Sequence, residues 1–188
     1  MADVPVAAYP SCARLRNYKD KTVPEMSFKM LVENYSKAVM NTAVRILRDS
    51  QRAQDVHQEV FLRILRRWHK FGNDVNWPAY LYRTTIRTAL ESVRQSKAEQ
   101  LAEQLHEHLP ANPRPDWRLR AVELQQKLVA CLAKLPKRQA DVFVLSRIEG
   151  LEYDRVAELI GCSKETARVH LHRALKRLTR EFHDYLRK

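Results

Sequence analysis

Residues 153–172 read YDRVAELIGCSKETARVHLH, and this segment carries the clearest structural signal in the chain. Its first half has an apolar helical face that includes Ile160 and the small Ala157, where a second helix can cross closely. Gly161 stands where a chain leaves a helix through a left-handed residue, and Ser163 can cap the helix that follows. The segment therefore predicts a helix-turn-helix.

The helix after this turn has two faces of opposite character. We expect one face to point into a core, because it carries apolar residues at helical spacing: Ala167, Leu171, Ala174, Leu175, Leu178 and Phe182. The other face is cationic and begins directly after the tight turn, which suits it to reading the major groove and holding phosphates. A solvated charged face on an ordinary helical hairpin is the alternative interpretation.

The residues of the cationic face have different expected roles, reading bases or contacting phosphates, according to their position along the helix. The first turns of a recognition helix reach base edges, and later turns lie nearer the phosphates. The candidates for reading bases are Lys164, Glu165, Thr166, Arg168, Val169 and His172. The candidates for contacting phosphates are Arg173, Lys176, Arg177 and Arg180.

Apolar periodicity in the rest of the chain predicts an all-α protein with two small helical domains. Residues 25–97 are expected to form the first domain, from three amphipathic helices over about 28–47, 50–70 and 78–97. Residues 119–188 are expected to form the second domain, which contains the helix-turn-helix. Its helices are predicted near residues 119–135, 137–148, 152–160 and 163–185.

Two segments lack helical periodicity. Residues 98–118 contain Pro110, Pro113 and Pro115, which cannot lie inside a helix. We therefore expect a proline-containing linker between the two domains. Residues 1–24 show no sustained period and are expected to form a mobile leader.

The composition favours an anionic partner. The 188 residues carry a net charge of +12, which predicts binding to nucleic acid first and to an acidic protein or membrane surface second. No stretch approaches the ~20 apolar residues that span a bilayer, and the first residues lack a signal-peptide pattern. The three cysteines have no Cys-x-x-Cys spacing and are typical of reduced side chains. We expect a cytoplasmic protein without membrane insertion.

The sequence does not favour an enzyme, a metal site or a cofactor. Asp55, His57 and Glu59 could suggest metal ligands, but on a helix His57 points ~200° away from Asp55, so the three cannot converge on one ion. With three glycines in the chain, no glycine-rich phosphate loop can be built. No serine nucleophile elbow is present either.

Two blocks together resemble the extracytoplasmic-function sigma factors of bacterial RNA polymerase. The first block reads RAQDVHQEVFLR at residues 52–63, followed by WPAYLYR at residues 77–83. The second reads LPKRQADVFVL at residues 135–145 and leads through EGLEYDRVAELIG at residues 149–161 into the recognition helix. The resemblance implies two helical domains, corresponding to sigma regions 2 and 4, that bind polymerase and promoter DNA.

In this family the Asp-x-x-Gln-Glu-x-Phe helix docks on the clamp of the largest polymerase subunit. The resemblance places that role on one helix of the first domain. One face of this helix, outside the apolar stripe, is shared by Asp55, Glu59, Leu62 and Arg66. A partner can therefore engage this face without disturbing the core. The expected polymerase-binding residues are Asp55, Gln58, Glu59, Phe61, Leu62, Arg63 and Arg66.

The resemblance also places the family's base-capturing loop at residues 71–76. Aromatic rings there offer stacking surface, amide and carboxylate groups suit base edges, and arginines on the next helix can hold the strand. The expected contacts to the melted minus-10 element are Phe71, Asn73, Asp74, Asn76, Trp77, Arg83, Arg87 and Arg94. Burial is the alternative for both aromatics, and it is favoured for Trp77.

Three positions depart from the family pattern. Ile86-Arg87 stands where an Arg-Asn pair is common, Glu91 where Asp is usual, and Glu152 where Ser or Thr often caps a helix. The first two departures leave the minus-10 preference open.

The resemblance implies a sigma factor that recruits core polymerase, reads the minus-35 element as duplex and reads the minus-10 element as melted strand. Its expected partners are core polymerase, promoter DNA and an anti-sigma factor, and it is expected to be monomeric when free. A stand-alone repressor or activator using the same recognition helix is the main alternative, although no heptad seam for a dimer is visible. A basic RNA-binding protein is a third, less favoured interpretation.

Overall fold

The computed structural model describes residues 27–72, 74–104 and 117–186, and every regular element in these ranges is helical. The helices are α1 (Phe28–Leu47), α2 (Ser50–Leu65), a 3-10 turn (Trp68–Lys70), α3 (Trp77–Gln104), α4 (Trp117–Lys134), α5 (Lys137–Phe143), which continues into a π-helical turn (Val144–Ile148), α6 (Tyr153–Ile160) and α7 (Lys164–Leu186). The prediction of an all-α fold is confirmed. We call α1–α3 the first module and α4–α7 the second module.

Side-chain caps set the boundaries of the first two helices. The hydroxyl of Ser27 accepts a hydrogen bond from the Met30 amide at 3.2 Å, which starts α1. Arg48 ends α1 in the left-handed conformation, with φ of 54°. One carboxylate oxygen of Asp49 then accepts from the amides of Gln51 and Arg52 at 2.9 and 3.1 Å, which starts α2.

The first module packs α1, α2 and α3 against one another. Leu31, Ile46, Ile64 and Ile86 are completely buried between them. Beside this aliphatic core lies an aromatic cluster, which consists of Phe28, Phe61, Trp68, Phe71, Trp77 and Tyr80. These rings pack across the polar turn region between α2 and α3 and close that end of the module.

The second module packs α5 and α6 against α7. Leu145, Leu159, Ile160, Ala167 and Ala174 are almost completely buried in this module. Ala167 and Ala174 let α7 approach its neighbours closely, because each presents only a methyl group. The helix-turn-helix of α6 and α7 therefore has a fixed crossing.

The structure differs from the sequence prediction at three helix boundaries. Helix α4 begins at Trp117, inside the predicted linker 98–118, and not at residue 119. The second helix ends at Leu65 and not near residue 70, because a 3-10 turn follows it. The third helix continues through residues 98–104, which were assigned to the linker. That stretch is rich in Ala, Glu and Gln, all good helix formers, and contains no breaker. The leader 1–24 and the linker prolines lie outside the described residues.

The two modules are in direct contact. Helix α3 of the first module packs against α4, α5 and α6 of the second module, and the buried apolar residues of both modules form one continuous cluster. The sequence analysis predicted two helical domains but not this contact.

In the part of the chain that the structure describes, no helix is long and apolar enough to cross a membrane.

Replacing Gly161 with Ala is expected to destabilise the fold by about 1–2 kcal/mol, because Gly161 has a φ of +70° and L-residues are strained there. No atom lies within 4 Å of an added Cβ, so the loss is conformational and not steric. Gly72→Ala is the matched control, since its site is equally open and does not have a positive φ. Chemical denaturation of both variants should show the loss only at residue 161. Equal losses at both positions would contradict this assignment.

Candidate nucleic-acid interface

The cationic face of α7 points to solvent. The predicted base-reading and phosphate-contacting residues on it are exposed, except for Lys164, which is half-buried. On the opposite side Leu171 and Leu178 are buried in the core. Leu175 was predicted to face the core, but 37% of it is exposed, because it lies at the edge of the buried stripe, about 80° around the helix from Ala167.

The start of α7 is fixed by its own polar groups. The Ser163 hydroxyl accepts a hydrogen bond from the Thr166 amide at 3.2 Å, which confirms Ser163 as the cap. Hydrogen bonds from its own backbone N–H and from Ser163, with the nearby charges of Arg168 and Lys164, lower the pKa of Glu165. Glu165 therefore stays ionised, and an ionised carboxylate can accept a hydrogen bond from the amino group of cytosine.

Two residues at the start of α6 hold side chains of the recognition helix. The Arg168 guanidinium lies over the ring of Tyr153, 5.5 Å from its centroid. The Lys164 ammonium pairs with Asp154 at 2.8 Å. The sequence analysis did not assign a role to Tyr153 or Asp154, because their proximity to α7 depends on the helix crossing. Glu152, which precedes them, makes no capping hydrogen bond to α6.

The two aromatic residues predicted to contact bases, Phe71 and Trp77, differ in burial. Trp77 is 6% exposed and stacks on Trp68 at 5.4 Å with an interplanar angle of 15°. It therefore belongs to the core, which confirms the favoured interpretation that Trp77 is buried, and the alternative role of its ring as a base contact is corrected. Phe71 is half-buried, with ring edges of Trp77 and Tyr80 at centroid distances of 5.1 Å. Phe71 therefore keeps part of its ring accessible, as do Trp68 and Tyr80 of the same cluster.

The polar residues of this loop have mixed surroundings. Asp74 is exposed. The side-chain oxygen of Asn76 accepts from the Ala79 amide at 3.1 Å, so this oxygen caps α3, while the amide nitrogen of this exposed residue can donate to a ligand. Asn73 lies outside the described residues.

The three arginines predicted to hold the melted strand all have partners within the protein. Arg83 donates to the carbonyl oxygen of Ala79, one turn earlier. Arg87 donates to Asp141 at 3.0 Å, and Arg94 donates to the carbonyl oxygen of Ala133. Asp141 and Ala133 belong to the second module, so Arg87 and Arg94 connect the two modules, although both residues remain exposed.

The predicted polymerase-binding face of α2 is largely accessible. Asp55, Gln58 and Arg66 are exposed, and Leu62 is 44% exposed. Leu65 is 48% exposed next to this face, so it extends the apolar part of the surface and was missed by the sequence analysis. Such exposed aliphatic groups beside charges are typical of a protein interface.

Three residues of this predicted surface have other contacts. Arg63 donates to Glu59 and pairs with Glu91 at 3.0 Å, and these hydrogen bonds raise the pKa of Arg63. Arg63 and Glu59 are half-buried. Phe61 is 6% exposed and packs edge-on against Phe28, so it supports the helix from within and cannot offer its ring to a partner.

His57 turns away from the two acids beside it in the sequence. Its Nε2 atom lies 2.7 Å from the Ser36 hydroxyl, between α1 and α2, and burial lowers its pKa. Within residues 27–72, 74–104 and 117–186, no three His, Cys, Asp or Glu side chains are grouped to hold a metal ion.

Comparison with known proteins relates both modules to the same family. The model of Sigma-70 region 2 matches residues 31–99, and the model of Sigma-70, region 4 matches residues 125–178. The chain is 31% identical over 156 residues to the RNA polymerase sigma-E factor of Streptomyces coelicolor, covering 83% of this chain and 86% of that protein. It is 27% identical over 171 residues to the RNA polymerase sigma-H factor of Pseudomonas aeruginosa, and this match covers 86% of this chain and 89% of that protein.

Among solved structures, the sigma factor RpoE of Bartonella quintana, crystallised with the anti-sigma factor NepR, is similar with 18% identity and a TM-score of 0.47. The match covers 84% of this chain and 97% of that chain.

Replacing Tyr153 with Leu is expected to weaken binding to a duplex selected with the unaltered protein by about 2–5-fold, the size of an exposed cation–π contact. The Leu side chain retains bulk but lacks the ring face that positions Arg168. Tyr153→Phe retains the ring and should bind as the original does. Fluorescence anisotropy measures the duplex affinity of the unaltered protein and of both variants. An equal loss with Phe would contradict positioning by the ring.

Proposed function

The chain belongs to the extracytoplasmic-function sigma factors of bacterial RNA polymerase, and we propose that three of its surfaces divide promoter recognition between them. The α2 face binds core polymerase, the aromatic loop with α3 binds the melted minus-10 strand, and the α7 face binds the minus-35 duplex. The observation that carries this proposal is the outward cationic face of α7, held at its first turns by Tyr153 and Asp154.

Recognition of the minus-35 duplex rests on the order of side chains along α7. Lys164, Arg168 and His172 follow the capped start of the helix on its exposed side, where they can reach base edges in the major groove. Arg168 suits a guanine, because a guanidinium can donate two hydrogen bonds to its O6 and N7 atoms. Lys176 and Arg177 lie farther along and reach phosphates.

Recognition of the minus-10 strand rests on capture of unstacked bases. Phe71 supplies a half-buried ring, and Asp74 with the amide group of Asn76 supplies polar groups for a base edge. Binding of flipped bases offsets the few kcal/mol that unpairing costs, so opening requires no hydrolysis. Arg83, Arg87 and Arg94 would then contact the strand backbone.

Polymerase binding rests on the exposed α2 face. Leu62 and Leu65 form an apolar centre with Asp55 and Arg66 at its edge, and a partner can cover these side chains without opening the core. Phe61 acts by supporting this helix from inside.

Other parts of the proposal follow from family membership. The protein acts in the cytoplasm with core polymerase and promoter DNA, is monomeric when free, and is held inactive by an anti-sigma factor. We assign it no catalytic activity of its own.

The test of the proposal is run-off transcription with purified core polymerase and a promoter library. Added protein should give new start sites. Leu62→Asp should lower core binding and run-off by at least tenfold, because a charge replaces an exposed apolar anchor. Val122→Asp is the matched control, since Val122 is 53% exposed on α4 and lies outside the proposed surfaces.

If the original protein gives no new start sites and binds duplex tightly by itself, the chain is a stand-alone repressor or activator. Equal losses for Leu62→Asp and Val122→Asp would remove the α2 face from the proposal.

The roles along α7 can be separated by two substitutions. Arg168→Ala should relax or abolish the choice of duplex site, because it removes a base contact. Lys176→Ala should weaken binding to all duplexes alike and reduce the salt dependence by about one phosphate contact. Titrations with the selected duplex and a random duplex, each at several salt concentrations, measure both effects. Similar effects of both variants on the two duplexes would contradict the division.

A further inference from the structure

A polar cleft of about 740 Å³ opens between the two modules. Its walls come from α2 and the residues after it, from α3, and from the start of α5. The volume lies within the range of small-molecule sites and is many times the ~30 Å³ that one water molecule occupies. The cleft can therefore hold a molecule of many atoms. Its basic lining residues are Arg63, Arg66, Arg67, Arg87, Arg94 and Lys137.

The acidic residues that line the cleft are already paired. Glu59 and Glu91 both form ion pairs with Arg63. Asp141 forms an ion pair with Arg87 at 3.0 Å. Because the lining contains six basic and three acidic residues, it keeps an excess of three positive charges.

Three basic side chains of the cleft have no partner of their own. Arg66, Arg67 and Lys137 are exposed, and within the described part of the chain their side chains make no hydrogen bond or ion pair. Arg66 and Arg67 follow α2 in the first module, and Lys137 begins α5 in the second. Two guanidinium groups and one ammonium group therefore offer all of their N–H donors to the same cleft, from both modules.

These donors define the chemistry of a ligand. An anion between the cations of the two modules offsets their mutual repulsion, and a guanidinium group can bind phosphate through two parallel hydrogen bonds. A single phosphate reaches only part of a cleft of this size, whereas linked phosphates can contact both modules at once. Tyr80 and Thr84 also line the cleft, and their hydroxyl groups, which bond to no described residue, can donate to further phosphate oxygens.

We propose that this cleft binds an anion with two or more linked phosphate groups, held by Arg66 and Arg67 from the first module and by Lys137 from the second. A nucleoside triphosphate and an inorganic polyphosphate both offer this chemistry. Because the binding groups come from both modules, the anion stabilises the chain with its modules in contact, by an amount that grows with anion concentration. The inference goes beyond the function proposed above, since neither DNA nor polymerase takes part in this binding.

The test measures anion binding by isothermal titration calorimetry of the full chain at one fixed ionic strength. GTP and inorganic triphosphate should each bind at least about tenfold more tightly than inorganic phosphate, because only linked phosphates reach both modules at once. Tighter binding of GTP than of inorganic triphosphate would identify a nucleotide as the ligand. Equal or weaker binding of GTP would show that the phosphate chain alone is recognised. Inorganic phosphate that binds as tightly as both, or no binding of either, overturns the inference.

Arg67→Gln with Lys137→Gln should lower the affinity for triphosphate at least about tenfold, because it removes one charged group from each module. Arg66 is left unchanged, since it also belongs to the proposed polymerase surface. The matched control is Lys37→Gln with Arg147→Gln, which removes the same charges from exposed positions outside the cleft. The control should bind within about twofold of the original protein, because distant exposed charges are screened by salt. Equal losses in the two double variants would reflect general attraction to a basic protein and would overturn the inference.

The two single variants keep the test decisive if the double variant does not fold. Arg67→Gln and Lys137→Gln should each weaken triphosphate binding by about threefold or more, because each removes one charged contact. If only one of the two changes the affinity, the ligand is not shared between the modules and the inference is overturned.

Single-stranded DNA is the competing occupant of the cleft, because α3 is also the surface proposed for the melted strand. A single-stranded oligonucleotide is therefore titrated into the same variants. If it binds through Arg67 and Lys137 while neither GTP nor triphosphate binds, the cleft belongs to the path of the DNA and the inference is overturned.

Discussion

The buried stripe of α7 determines what the second module can do. Ala167, Leu171, Ala174 and Leu178 must leave water, and they can do so only against α5 and α6. Burial of this stripe fixes the rotation of the helix, so its basic residues are turned to solvent as a group. Gly161 and Ser163 set the angle and the starting point of that helix. The predicted DNA-reading surface is therefore a consequence of packing.

The same reasoning applies to the first module. The buried side of α2 fixes Leu62 and Leu65 on its free side, and the buried side of α3 fixes the line of Arg83, Arg87 and Arg94. Arg87 and Arg94 on this line are engaged with the second module, although both residues remain exposed.

Local signals were sufficient to predict most helices from the sequence. Capping residues such as Asp49 and Ser163 act within three residues, and apolar periodicity marks a buried face wherever the helix packs. Side chains that suit either a core or a binding surface were harder to assign from the sequence. Aromatic residues can contact a partner or fill a core. Burial was the favoured prediction for Trp77, whereas Phe61 was expected to contact polymerase, and both side chains are buried. Pairs such as Arg87 with Asp141 lie 54 residues apart and depend on how the modules pack.

The account is tested most directly by cleavage of promoter DNA from a reagent tethered to single introduced cysteines, in a background without native cysteines. In the open complex with polymerase, a tether on α7 at Val169 should cut duplex in the minus-35 region. A tether at Asp74 should cut the melted strand near the minus-10 element. Cleavage by both at one place, or cleavage scattered along the DNA without reference to the start site, would contradict the account.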